Sequence, residues 1–181
     1  AEPLHLLDFC QENDGAAAMI LVSAERARDL QQRPAYVLGA AQGSDHRQAA
    51  SAHNAPDYAT SNFKTLAPRL YAQAGVGPED VDVLQSYENF IGCVMLSMVE
   101  HGFCAPDAVN EFFTLEHFSA PDGRLPLNTS GGNLAECYMH GLEINVQLNL
   151  CSHDFSHLWF YLKLELFVRT QSKWRFQCQK P

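Results

Sequence analysis

The sequence has no long uncharged apolar run. A membrane-spanning helix needs about 20 such residues, and the longest stretch here, His157 to Val168, is broken by Lys163 and Glu165. The chain opens on Ala1-Glu2-Pro3-Leu4, without the basic start and apolar run of a leader peptide, and none is expected. Positive charge is scarce. Twelve Lys and Arg against 21 Asp and Glu give a formal net charge of −9. That argues against nucleic acid, whose phosphates want a basic face, and against an anionic membrane surface. The six cysteines (Cys10, Cys93, Cys104, Cys137, Cys151 and Cys178) are scattered over 181 residues and form no disulfide framework. Such usage points to a reducing compartment, with the cytoplasm as the expected location.

What is present is enough for one core: 46% of the residues are hydrophobic and 18% charged, the balance of a soluble globular domain. Up to about residue 150 the chain reads as alternating strands and helices, an α/β order with a mixed sheet and helices on its faces. Met19 to Val22 is expected as a buried strand, with Ser23 capping a helix to about Leu30. Tyr36-Val37-Leu38 is a second strand, ended by Gly39. Phe63, Leu66, Ala67, Leu70, Tyr71 and Ala74 recur at helical spacing, closed by Gly75, and Pro68 predicts a kink or a helix beginning near it. Val81 to Leu84 returns to the sheet and is expected at its centre. Phe90 to His101 reads as a buried helix stopped by Gly102. Arg124-Leu125-Pro126-Leu127 is extended, Asn128-Thr129-Ser130-Gly131-Gly132 is a loop, and Ala135 to Leu148 is expected to be helical.

Composition then changes abruptly. All eleven glycines lie at or before Gly141, and no alanine follows Ala135. Residues 151–181 carry a local charge of +3, which leaves −12 for residues 1–150. This predicts a separate tail, a divergent terminus or a reading-frame change. Cys151-Ser152-His153 with His157 is too sparse for a zinc site, and Asp154, His153 and Ser156 are too close in sequence for a hydrolase triad. No metal is expected.

Three segments, in order, resemble the thiolase superfamily. The first is Asp8-Phe9-Cys10-Gln11-Glu12-Asn13-Asp14-Gly15-Ala16-Ala17-Ala18 with Ser23-Ala24-Glu25-Arg26-Ala27, similar to the end of the thiolase N-terminal half. The second is Ala74-Gly75-Val76-Gly77-Pro78-Glu79-Asp80-Val81-Asp82-Val83 running into Tyr87-Glu88-Asn89-Phe90, which resembles the opening of the C-terminal half and its Asn-Glu-Ala-Phe box. The third, Asn128 to Gly141, resembles the glycine-rich loop that ends in Gly-His-Pro-x-Gly. The resemblance implies a thiolase-like layered fold. Residues 1–30 would end an N-terminal half, 31–150 would form a C-terminal-like domain and 151–181 a divergent tail.

The departures carry the chemistry. Matching the motifs puts Tyr138 on the family's catalytic histidine, Cys137 on the preceding glycine, Met139 on the proline and Tyr87 on the box asparagine. Only Cys151 and Cys178 follow the loop, and neither forms the family's Cys-x-Gly. Cysteine-based Claisen chemistry is excluded for this chain. A tyrosine hydroxyl, with a pKa of about 10, both donates and accepts a proton. Reversing an aldol addition needs a proton taken from a β-hydroxyl and an enolate stabilised at the thioester oxygen, and two placed phenols meet that demand.

The pattern is therefore similar to thiolase-like aldolases that shorten acyl-CoA side chains, those of steroids included. That resemblance implies retro-aldol cleavage of a β-hydroxyacyl-CoA with Tyr138 and Tyr87 as the acid/base pair. It implies Glu88, Asn128, Ser130, Gly131, Gly132 and His140 around the substrate. Coenzyme A enters as the substrate thioester, with no resident cofactor. The implied partners are a second copy or a small OB-fold protein. An acyltransferase fragment and a non-catalytic acyl-CoA carrier or scaffold remain open as alternatives.

Overall fold

In the computed structural model, residues 2–15, 20–31, 34–43, 63–88, 90–129 and 131–135 are described in full, and 157–161 and 165–169 by their backbone. The elements are short helix α1 (Ala24–Ala27), strand β1 (Tyr36–Ala41), helix α2 (Phe63–Ala74), strand β2 (Val83–Gln85) and helix α3 (Ile91–Glu100). Three single-turn helices follow, α4 (Val109–Phe112), α5 (Leu115–Phe118) and α6 (Gly132–Ala135), then strands β3 (His157–Tyr161) and β4 (Glu165–Arg169).

The strands form one mixed sheet in the order β1-β4-β3-β2. β4 runs antiparallel to both β1 and β3, whereas β2 and β3 are parallel, with Val83 opposite Leu158 and Gln85 opposite Phe160. The expected central place of Val81–Leu84 is corrected: β2 stands at one end of the described order. Beyond it Leu127 makes a single parallel bridge to Leu84. Pro126, lacking an N–H, cannot extend that bridge into a ladder. All three residues of β2 are nevertheless buried. Segment 124–127 covers the outer edge, and the Arg124 guanidinium ties it to the turn before β2, donating to the carbonyls of Val81 (3.2 Å) and Glu79 (2.9 Å).

β1 continues through Gly39 to Ala41, past the end predicted for it, because Gly39 is where α2 comes down on the sheet. A Cβ at Gly39 would lie 3.2 Å from the Leu70 carbonyl oxygen and 3.3 Å from the Ala74 Cβ, so a larger residue would push the helix off. The Gln73 amide oxygen accepts from the Ala40 N–H at 3.0 Å and fixes the pair in register.

α2 is unbroken, contrary to the kink or restart expected at Pro68. Phe63, Leu66, Ala67 and Leu70 line its buried face, while Pro68 lies on the exposed face with Lys64. The hydrogen bond forfeited by proline is lost toward water, where it costs least. The N-terminus of α2 is held from α3, whose Glu100 carboxylate accepts from the Phe63 N–H at 2.7 Å. The Phe63 ring stacks on His101 at 4.8 Å, and the Tyr71 hydroxyl donates to the His101 carbonyl at 2.9 Å.

α3 begins and ends as predicted, after Phe90 and before Gly102, but it is buried on one face only. Val94, Ser97 and Met98 face inward at helical spacing, while Ile91 and Leu96 reach the surface. Leu70, Val81, Leu84, Val94, Met98 and Leu125 make the core cluster, with Leu38, Tyr71, Phe103 and Phe112 packed around it. Each fully buried leucine or valine contributes about 1.5–3 kcal/mol over its exposed state.

Near the N-terminus, Ser23 caps α1 through the Arg26 N–H as expected, but the helix stops at Ala27 instead of about Leu30. The described part of the buried strand predicted for Met19–Val22 is neither buried nor paired: Ile20 is 89% and Leu21 74% exposed. Its apolar composition signalled burial, yet no described element packs over it. The helix expected over Ala135–Leu148 lies outside the described residues beyond Ala135. Among the described residues, no helix is long and apolar enough to cross a membrane.

Candidate active site

The thiolase-like motifs meet where β2 ends. Segment 126–128 lies alongside the strand: the Leu84 N–H donates to the Pro126 carbonyl and the Asn128 N–H to the Leu84 carbonyl, each at 2.9 Å. Asn128 then grips the next residue with both ends of its side-chain amide. Its Oδ1 accepts from the Ser86 N–H at 2.8 Å, and its Nδ2 donates to the Ser86 carbonyl at 2.9 Å. This grip places Asn128 in the left-handed region, φ 46°, a conformation that asparagine tolerates better than most residues. A turn closes immediately after it, the Gly131 N–H donating to the Asn128 carbonyl at 2.7 Å.

Ser86 leads directly into Tyr87, which is half-buried, and Glu88, which is 4% exposed. The Glu88 carboxylate reaches across to the first turn of α6, where Oε1 accepts from the Leu134 N–H at 3.2 Å. Gly132 makes room for it. With φ 61° and no side chain, Gly132 lies against the carboxylate, and a Cβ there would collide with Oε1 and stand 2.6 Å from Cδ. Only glycine satisfies both the backbone and the space.

The third wall comes from the N-terminal segment. Phe9 bridges Phe90 in antiparallel fashion, and their rings meet edge-to-face with centroids 5.3 Å apart. Cys10 lies close enough to sense Glu88: burial pushes its thiol above the usual range, and the Glu88 carboxylate adds to that rise. Burial alone raises Cys93 and Cys104. These thiols therefore hold their protons near neutral pH, the reverse of activated nucleophiles.

The fold thus brings together Tyr87, Glu88, Asn128, Gly131 and Gly132 from two distant stretches of sequence. Ser130, Tyr138 and His140 lie outside the described residues, as do Cys137 and the Cys151-Ser152-His153 group. Among the described residues, no cluster of His, Cys, Asp or Glu is arranged to hold a metal. The structure adds three polar side chains that the sequence reading passed over. Gln85, Ser86 and Asn133 are 1%, 1% and 3% exposed, and the Gln85 amide, the Ser86 hydroxyl and the Asn133 amide have no hydrogen-bond partner among the described residues. Unpartnered buried polar groups are rare in native folds and tend to mark sites. The available signal was position: Gln85 ends the strand and Ser86 follows it, just before Tyr87, and Asn133 follows the Gly131-Gly132 pair.

An α/β domain with a glycine-rich turn gripped against the end of one strand is in keeping with the C-terminal domain of the thiolase fold class. The chain belongs to the thiolase C-terminal domain-like family, which matches residues 41–148. It is 42% identical over 143 residues to a steroid side-chain-cleaving aldolase of Thermomonospora curvata, covering 78% of this chain and 36% of that protein. It is 40% identical over 144 residues to a 17-hydroxy-3-oxo-4-pregnene-20-carboxyl-CoA lyase of Mycobacterium tuberculosis, covering 78% of this chain and 37% of the relative. Among solved structures it resembles an Ltp2-ChsH2(DUF35) aldolase, at 34% identity and a TM-score of 0.79, over 96% of this chain and 49% of that one. The chain spans little more than a third of the length of these two curated relatives.

Proposed function

We propose that the protein carrying this chain is a carbon–carbon lyase that cleaves a β-hydroxyacyl-CoA by retro-aldol reaction, with a steroid or related lipid side chain as substrate class. The observation that carries this reading is the 42% and 40% identity to an aldolase and an acyl-CoA lyase, both named for action on steroid-type substrates. In the reaction a base removes the β-hydroxyl proton and the Cα–Cβ bond breaks. The electron pair moves into the thioester as an enolate, which an acid reprotonates at Cα. The products are a carbonyl compound and a shortened acyl-CoA, with no oxidant and no nucleophilic cysteine required.

Tyr138 and Tyr87 are the residues we assign to those two proton transfers. Tyr87 stands half-buried between Ser86, which Asn128 holds, and Glu88, which lies against Gly132, in keeping with a group that lines a site. Ser130, Gly131 and Gly132 bring backbone close to the thioester, and His140 assists from the same loop. Asn128 shapes the site through its hold on Ser86. Glu88 belongs to the same cluster.

For partners, we infer a hetero-complex with a small OB-fold protein or a second copy of this chain. The resemblance to the solved Ltp2-ChsH2(DUF35) aldolase supports the former. Exposed apolar residues Leu6, Leu7, Ile20 and Leu21 are in keeping with an association face. We further read residues 1–30 as the end of an N-terminal half, 31–150 as the C-terminal-like domain and 151–181 as divergent in sequence.

Tyr138→Phe is the test. It keeps the ring and removes only the proton-transferring oxygen, so cleavage of a β-hydroxyacyl-CoA by the intact protein should fall by about a hundred- to ten-thousand-fold. A loss of only a few-fold, as from one broken hydrogen bond, would take Tyr138 out of the chemistry.

A further inference from the structure

We infer that Glu88 is a positioning residue: its carboxylate acts as a fixed hydrogen-bond acceptor that sets the Gly131–Ala135 turn, and with it the start of the segment bearing Tyr138. This rests on the lyase reading for its kinetic consequence, but not for its structural one.

Three observations converge on Glu88. It is buried, and Oε1 accepts from the Leu134 backbone N–H at 3.2 Å. The side chain occupies the volume that a Cβ at Gly132 would need, so carboxylate and glycine fit as a matched pair. The Phe9–Cys10 segment, bridged to Phe90, lies near enough for the Glu88 charge to act on the Cys10 thiol. Glu88 is thus wedged where three stretches of chain meet.

A helix start of this kind depends on acceptors from outside the helix. The first turn of a helix fixes several dihedral angles for one hydrogen bond and is unfavourable alone. Its leading N–H groups have no partner within the helix. A carboxylate that accepts from one of them makes a charge-assisted bond, among the stronger kinds available to a backbone amide. Gly131 and Gly132, both at positive φ, supply no side-chain packing to compensate. Remove the acceptor and the Leu134 N–H loses this partner from the segment that follows β2. Tyr138 follows Ala135 by three residues in sequence, so an error in the turn is passed on along the chain toward it. A misplacement of about 1 Å at a reacting group costs on the order of a hundred-fold in rate.

The role assigned is acceptor, not acid or base, and the two are separable. Glu88→Gln keeps an oxygen to accept from Leu134 but cannot titrate near neutral pH. Glu88→Met keeps the bulk and loses the acceptor. Glu88→Ala loses both. In the intact protein, kcat and KM for β-hydroxyacyl-CoA cleavage are measured with the pH–rate profile, alongside hydrogen exchange of the Leu134 amide. Glu88→Gln should keep kcat within about threefold, with an unchanged pH profile and a protected Leu134 amide. Glu88→Met and Glu88→Ala should lose about 30- to 100-fold in kcat with KM little changed, on the misplacement scale above, and exchange Leu134 faster.

If Glu88→Gln falls as far as Glu88→Ala, Glu88 is an acid or base and the inference is overturned. If Glu88→Met matches the wild type in rate and exchange, Glu88 is a space-filler and the inference is again overturned. Should either deep substitution prevent folding, Glu88→Gln still decides, because loss of its rate or its Leu134 protection refutes the acceptor role. If the unmodified protein cleaves no such thioester, the lyase reading fails alone, and the exchange measurements still judge the clamp.

Discussion

Asn128→Ala should destabilise the protein by about 2–4 kcal/mol, from two causes that can be separated. The first is loss of the two bonds to Ser86, at 2.8 and 2.9 Å. Each such bond is worth roughly 0.5–1.5 kcal/mol net, and more where a partly buried backbone group is left without its partner. The second is the φ of 46°, which costs a residue with a Cβ and no local hydrogen bond about 1–2 kcal/mol. Urea unfolding reads the sum directly. With a slope of about 1–3 kcal/mol per molar, the midpoint should fall by about 1–2 M. Asn128→Gly loses the same two bonds but none of the backbone compatibility, and should sit about 1 kcal/mol above the alanine variant. Asn128→Asp keeps the acceptor for the Ser86 N–H but turns a negative oxygen toward the Ser86 carbonyl, and should resemble alanine. Cleavage by the folded variants should also drop, because Ser86 is the residue that delivers Tyr87 and Glu88. A midpoint for Asn128→Ala within about 0.2 M of the wild type would refute the grip as a stabilising element, since a single net hydrogen bond exceeds that shift. Equal stability of the alanine and glycine variants would refute the backbone argument alone.

Leu70→Ala, at a fully buried position between α2 and β1, should cost about 2–5 kcal/mol by transfer and cavity terms, measured as loss of unfolding free energy; a cost below about 1 kcal/mol would contradict the assigned core. His117 gives a pH signature: burial, reinforced by the Arg124 charge, lowers its pKa from the ordinary value of 6.5. The unfolded chain then binds the proton more readily, so this stability is present above about pH 6.5 and is lost as pH falls through that value toward the depressed folded pKa. The melting temperature should decline over that window and flatten in His117→Gln; an identical slope in the variant would assign the decline to other groups.

What the sequence made legible was whatever local rules settle. The periodicity of Phe63, Leu66, Ala67 and Leu70 marked α2, and all four side chains are its buried face. Gly102 marked the end of α3, and Ser23 the start of α1. The motifs also placed Tyr87, Glu88, Asn128 and Gly132 in one neighbourhood, which the hydrogen bonds across β2 realise. Local rules failed where a partner from elsewhere decides. Pro68 looks like a breaker until the direction of its face is known, and Ile20-Leu21 looks buried until no described element covers it. Strand order is of the same kind, since β2 lies beside β3, more than 70 residues further along the chain, and no pattern within Val81–Leu84 encodes that neighbour.

The site shows the same division more sharply. A carboxylate next to Tyr87 reads from sequence as a group for the substrate, because exposed acid beside a phenol is what proton transfer needs. Its actual contact is with a backbone amide 46 residues away, opposite a glycine whose missing side chain admits it. Asn128 repeats the pattern: it spends one donor and one acceptor on the backbone of Ser86, 42 residues earlier. In both cases the particular contact could not be read from the sequence, because it is made to main chain and main chain has no sequence signature. The consequence is a rule for reading this loop. Glu88 and Asn128 both hold backbone, so a role toward substrate has to be argued for the hydrogen-bonding capacity they have left, and for the Asn133 amide, which finds no partner among the described residues.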